Sequence, residues 1–174
     1  SLLLILSLIF LFGCKTSKPA GEPKREVKET PVPVTDDPKP INYSDQVTWV
    51  LGYFKLERLT SEPHNTWYIK GFDDYLINSN AVNQLLDISK DNLKIKIVMG
   101  TWCPDSRREV PRFMRILDIW KFPLSDVVFI GVDNSKLSPV AEYESLNIQR
   151  VPTFIFYKNN IEAGRIIENP VTSL

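Results

Sequence analysis

Three regimes of hydrophobic and polar positions divide this chain. Ser1 to Phe12 is almost wholly apolar, too short for a membrane-spanning helix of about 20 residues and patterned like the core of a secretory signal, which assigns residues 1–13 to a signal peptide. Lys15 to Pro40 is proline, charges of both signs, Thr and Ser, with Val27, Val32 and Val34 its only sizeable apolar residues. Such a stretch cannot bury enough surface to offset the entropy of ordering, so residues 14–42 read as an extended, disordered tether. From Tyr43 onward apolar residues recur at the spacings of strands and helices, and residues 43–174 are expected to form the folded domain.

Within that domain, Gln46 to Lys55 is rich in Val, Trp, Leu, Tyr and Phe and predicts a strand. Trp67, Tyr68, Phe72 and Tyr75 cluster at spacings that suit either a helical turn or an aromatic fold-back, with Pro63 ending any longer helix, and they read as core. Ser79 or Asn80 caps a helix over Ala81 to Lys90, with Val82, Leu85, Leu86 and Ser89 on one face. Asp91-Asn92 turns the chain into a buried strand, Leu93 to Val98. A longer helix runs from Pro104 to Lys121, where Val110, Phe113, Met114, Leu117 and Trp120 recur at three and four. Val127 to Val132 is a second buried strand. Ser138-Pro139 reads as an N-cap and first-turn proline opening a short helix through Leu146. Thr153 to Tyr157 and Ile161 to Ile167 are strands joined at Lys158-Asn159-Asn160, a hairpin signal. Strands alternating with helices make the class α/β.

Composition narrows the chemistry. The 174 residues carry 21 basic and 21 acidic side chains, a balance that points to no nucleic acid and no acidic substrate. Two cysteines far apart, Cys14 and Cys103, make neither a disulfide scaffold nor a metal-ligand spacing. His64, the single histidine, sits beside Pro63 in a polar stretch and reads as a surface loop position, not a metal ligand. No metal and no cofactor is expected. Cys103 is different, because a strand leads directly into it and a proline follows it. Proline suits the first helical position, so Cys103 falls at the helix N-cap. There the free N–H groups of Asp105 and Ser106, with the positive end of the helix dipole, favour a sulfur anion. Arg107 or Arg108 adds to this if it offsets Asp105; otherwise Arg107, Arg108, Arg112 and Arg115 form a solvated face.

Trp102-Cys103-Pro104 at a strand-to-helix turn resembles the active-site turn of the thioredoxin family. Pro111 matches the proline that kinks the family's active-site helix, and Val151-Pro152-Thr153 matches its cis-proline loop. The resemblance covers residues 80–168 and is nearest to thioredoxin-like lipoproteins of bacterial envelopes that carry Trp-Cys-Pro-Asp-Ser. It implies a central mixed sheet flanked by helices, ending in a helix that covers one face. The chain stops at Leu174, where that helix would begin, so a truncated helix is expected. Leu11-Phe12-Gly13-Cys14 likewise resembles a bacterial lipobox, which implies lipidation of Cys14, a membrane anchor and a domain facing the periplasm. Two positions depart from the dithiol pattern: Ser106 replaces the resolving cysteine, and Ile97 replaces a buried aspartate.

The resemblance implies catalytic roles for Cys103, Ser106 and Pro152. Ser106 would donate a hydrogen bond to the thiolate. Trp102, Pro104, Val151 and Thr153 would line the substrate chain, with a cis peptide at Pro152 presenting the Val151 backbone. A single thiolate attacks a disulfide and needs an outside thiol for release, so the leading expectation is a monothiol protein exchanging or isomerising protein disulfides in the envelope with an external reductant. The alternative is a non-catalytic peptide-binding module. A thiol peroxidase ranks below both, because Thr101 lies only two residues before Cys103, not three.

Overall fold

The computed structural model describes residues 40–168. The signal segment, the lipidation site Cys14, all of the tether before residue 40 and the expected C-terminal helix fall outside the described residues. The sheet has five strands: β1 (Gly52–Phe54), β2 (Leu93–Met99), β3 (Val127–Gly131), β4 (Thr153–Lys158) and β5 (Ile161–Ile167), in the order β1-β3-β2-β4-β5. β2 lies at the centre, parallel to β3 and antiparallel to β4; β1 and β5 close the edges antiparallel to their neighbours. The helices are α1 (Glu57–Thr60), α2 (Asn65–Asp73), α3 (Ser79–Leu86) and α4 (Pro104–Trp120). This mixed α/β arrangement is a thioredoxin-like fold, as the resemblance implies.

Strand alternation divides the core in two. Ile95, Ile97 and Met99 point to the face where α1, α2 and α4 pack, against Leu59, Tyr68, Val110, Phe113, Leu117 and Phe154. Val98 points to the other face and joins Ile130, Val132, Val151, Ile155 and Cys103. The centre of the sheet is therefore apolar on both sides at the end where β2 enters the Cys103 turn.

α4 forms because its sequence supplies both ends. Pro104 takes the first helical position after an extended Cys103. At the other end Lys121 adopts a left-handed conformation (φ 55°), and the N–H of Phe122 returns to Leu117 O at 2.9 Å. Pro111, inside the helix, removes one backbone donor. α2 crosses at this point with Gly71 facing Pro111 so closely that a Cβ on Gly71 would lie 2.6 Å from its Cγ. The β4–β5 hairpin turns on Asn159 (φ 53°) and Asn160 (φ 65°), the pair of positive φ angles that a two-residue type I′ turn needs.

Several local readings need correction. The expected strand over Gln46–Lys55 shrinks to β1, preceded by a 3₁₀ turn at Gln46–Thr48, because this segment spends its polar groups on the Cys103 turn described below. α3 is capped by neither Ser79 nor Asn80: the Asn78 side chain accepts from the N–H groups of Asn80 and Ala81 at 3.2 Å, and the helix ends at Leu86, short of Ser89 and Lys90. Ser138-Pro139 opens no helix. The Ser138 hydroxyl instead donates to Gly131 O at 2.9 Å, and only a 3₁₀ turn forms, at Tyr143–Leu146. His64 is not on the surface. It is fully buried at the start of α2, with its ring 5.9 Å from that of Tyr43 and 5.8 Å from that of Trp67. Trp67, Tyr68 and Phe72 belong to the core, in the helical alternative of the two conformations the sequence allowed.

Candidate functional site

β2 delivers Gly100-Thr101-Trp102-Cys103 to the N-terminus of α4, and each carbonyl of that turn has a defined partner. Gly100 O accepts from Cys103 N–H at 3.0 Å, and Cys103 O accepts from Arg107 N–H at 3.1 Å. Between them, Thr101 O and Trp102 O accept from the Nη1 of Arg107 at 3.1 and 3.0 Å. The guanidinium also stacks over Tyr43, 4.7 Å from the ring centroid, and the Tyr43 hydroxyl donates to Pro63 O at 2.7 Å.

The segment before β1 clasps the same turn. Thr101 Oγ1 accepts from Val50 N–H and donates to Thr48 O, both at 3.2 Å, in a buried position. The Trp49 ring lies 6.4 Å from that of Trp102. Gly131 allows this approach, since a Cβ there would sit 2.0 Å from Val50 O.

Cys103 occupies the N-cap as expected, but its surroundings differ from the exposed sulfur that the sequence suggested. The residue is 7% exposed and packs in the second apolar cluster. Its Sγ takes no capping hydrogen bond from α4; the thiol donates instead to Val151 O at 3.4 Å. The Val151–Pro152 peptide is cis, and both residues are buried. Ser106 does not face the sulfur with its known bond: its fully buried Oγ accepts from Gly100 N–H at 3.3 Å, bracing the turn from below.

The residues expected around a substrate chain are only partly assembled for it. Val151 meets Cys103 directly, and Pro104 is exposed on the helix side of the sulfur. Trp102 is folded back, its Nε1 donating to Val132 O at 3.0 Å and its ring packed so tightly on Gly100 that a Cβ there would lie 2.5 Å away. Thr153 is buried and turned inward, donating to Arg150 O at 2.6 Å. Of the two arginines weighed beside Asp105, Arg108 makes the pair, at 2.7 Å, while also bonding Glu109 at 2.6 Å. Arg107 does the other work described above. The sequence signals for Arg107, Thr101 and Tyr43 were weak, because each acts through partners brought in by folding.

His64 lies in the layer behind this turn. Burial, with the nearby charges of Arg58 and Arg107 adding to it, pushes the imidazole down from 6.5 to about 4. No well-formed hydrogen bond reaches either ring nitrogen, and the Thr48 backbone beside the ring opposes the shift without cancelling it. Among the described residues no group of His, Cys, Asp and Glu side chains could hold a metal ion, and no helix is long and apolar enough to cross a membrane. Chemically, the arrangement offers one thiol at a helix N-terminus, set against a backbone carbonyl, with a serine where a second thiol would be needed to resolve an adduct.

No family model matches the chain. Over 92 residues it is 30% identical to a thioredoxin H-type of Oryza sativa subsp. indica, a match that spans 52% of this chain and 70% of that protein. A solved chain from a study of thiol resolving in yeast mitochondrial 1-Cys peroxiredoxin via glutathione/thioredoxin systems is 20% identical. That alignment covers 53% of this chain and 79% of the other with a TM-score of 0.34, too loose a superposition to bear on chemistry. On the identity and coverage of the rice protein, with Cys103 at its strand-to-helix turn and a cis Pro152 facing it, the chain belongs to the thioredoxin family.

Proposed function

We propose that this chain is a monothiol thioredoxin-like protein of the bacterial cell envelope, held to the membrane through a lipid on Cys14 and exchanging or isomerising disulfides of protein clients at Cys103. The observation that supports it best is the placement of the Cys103 sulfur at the N-terminus of α4, 3.4 Å from the carbonyl that precedes Pro152, with Ser106 where a resolving thiol would stand. In the step proposed, the Cys103 thiol gives up its proton to solvent and the thiolate attacks one sulfur of a client disulfide. The S–S bond breaks, a mixed disulfide forms, and the client's other sulfur leaves as a thiolate that takes up a proton. A client thiol or an external reductant thiol then attacks the mixed disulfide and restores Cys103. An extended client strand would lie along residues 151–152, displacing the Cys103–Val151 contact and taking main-chain hydrogen bonds there, beside the exposed Pro104 and the half-buried Trp102.

The apolar leader and the tether support the anchored, periplasm-facing placement, with the tether supplying reach from the lipid surface. The near-complete burial of Cys103 favours a second reading, a peptide-binding module without redox turnover. Insulin reduction with dithiothreitol separates the two. The exchange reading predicts faster reduction with the wild-type protein than with Cys103→Ser, whereas equal rates would leave only the binding module.

A further inference from the structure

The turn that carries Cys103 depends on one side chain that no simple N-cap description includes. Three consecutive carbonyls, those of Thr101, Trp102 and Cys103, all accept from Arg107: two from its guanidinium and one from its backbone N–H. A buried or half-buried carbonyl left unpaired costs about 1–3 kcal/mol, so the turn is built around this residue. Arg107 is also placed to act on the sulfur electrostatically: its Nη1 bonds the Trp102 carbonyl, which belongs to the same peptide group as the Cys103 amide.

The acidic groups on this stretch of helix do not neutralise Arg107. Asp105 pairs with Arg108, and Glu109 with Arg108 and Arg112; among the described residues no carboxylate lies within ion-pair distance of Arg107. Of the other charged or titratable groups near the turn, Arg150 is paired with Glu168 at 2.7 Å. His64, behind the guanidinium with Arg58, is held neutral at ordinary pH, and Tyr43 offers its ring face to the cation. A planar fork can bond two carbonyls and stack on a ring at once, which an ammonium cannot do.

We propose that Arg107 is the positioning residue of this site: its guanidinium, clamped between Tyr43 and the Thr101 and Trp102 carbonyls, fixes the Cys103 turn and supplies the standing positive charge that favours the thiolate. This rests on the proposed exchange at Cys103 and names the residue that tunes it.

The test is the rate of Cys103 alkylation by iodoacetamide as a function of pH, which needs no client, together with urea unfolding of the same proteins. Arg107→Gln is expected to slow alkylation about tenfold at pH 7 and to move the pH–rate curve about one pH unit to the alkaline side, with the rate at high pH unchanged. Arg107→Lys, which keeps the charge but not the fork, is expected to fall between Gln and wild type. A Gln variant that loses stability but superimposes on the wild-type curve would reduce Arg107 to a structural bond and overturn the proposal. Should Arg107→Gln fail to fold, Arg107→Lys decides, because a curve identical to wild type removes any role for the clamped geometry. Failure of the exchange reading looks different: wild-type Cys103 alkylates, with the Arg107 dependence intact, yet forms no mixed disulfide with a peptide.

Discussion

Acidification should destabilise this domain well above the pH at which its carboxylates titrate, and His64 is the reason. The imidazole is fully buried between Tyr43 and Trp67 with no well-formed hydrogen bond on either nitrogen, and burial together with the charges of Arg58 and Arg107 outweighs the favourable Thr48 backbone in opposing a third positive charge. The folded protein therefore keeps His64 neutral down to about pH 4, whereas the unfolded chain takes up a proton near 6.5. The unfolded state binds more protons in this interval, so stability falls as pH falls. The contribution is complete above about pH 6.5 and is lost progressively between there and about pH 4. At about 1.4 kcal/mol per pH unit, the full displacement sets a ceiling of about 3 kcal/mol, and at pH 4.5 about 2 kcal/mol of it is gone. That is a large share of the 5–15 kcal/mol typical of a domain. Urea unfolding followed by tryptophan fluorescence at pH 7 and pH 4.5 measures the loss. His64→Phe, which keeps a ring between Tyr43 and Trp67 and cannot titrate, corrects for the carboxylates. The wild type is expected to lose about 2 kcal/mol more than the variant. Equal losses in the two proteins would refute the reasoning.

Two further perturbations probe the clasp on the Cys103 turn. Thr101→Val keeps the side-chain shape but leaves Val50 N–H and Thr48 O unpaired; a loss of about 1–3 kcal/mol in urea unfolding is expected, with faster hydrogen exchange at the Val50 amide. Gly131→Ala forces a Cβ into the space held by the Val50 carbonyl, so a loss of about 1–3 kcal/mol is expected, with a changed emission from Trp49 and Trp102 as the clasp shifts. Unchanged unfolding midpoints in both variants would show that the segment before β1 is not bound to the turn.

Much of the frame was legible because it is local. The apolar stripe of α4, Pro104 after Cys103, and Asn159-Asn160 between two strand patterns each announce an element through neighbours in sequence. What escaped depends on partners far along the chain. Nothing beside His64 in the sequence tells that Tyr43 will cover it. Thr101 is bonded to residues about 50 positions away, Cys103 to Val151, and Trp102 to Val132. Ser138-Pro139 carries a helix-start signal that loses to a tertiary bond with Gly131. Asn78, by contrast, was readable: asparagine is among the best N-cap residues, and it lies one position before the two that the sequence reading weighed. The site divides in the same way. Its nucleophile and facing loop could be found from the residues that carry them, while the burial of the sulfur and the role of Arg107 come from packing.

The central claim is that the Cys103 sulfur, though covered, reacts with a disulfide in the folded protein. Incubating the protein with a disulfide-bonded peptide at neutral pH, quenching with acid and reading the intact mass tests it directly. The account predicts a single peptide adduct on Cys103 that reduced glutathione removes and that Cys103→Ser does not form. An adduct that appears only after denaturation would contradict it, and Cys103 would then be an inert core thiol.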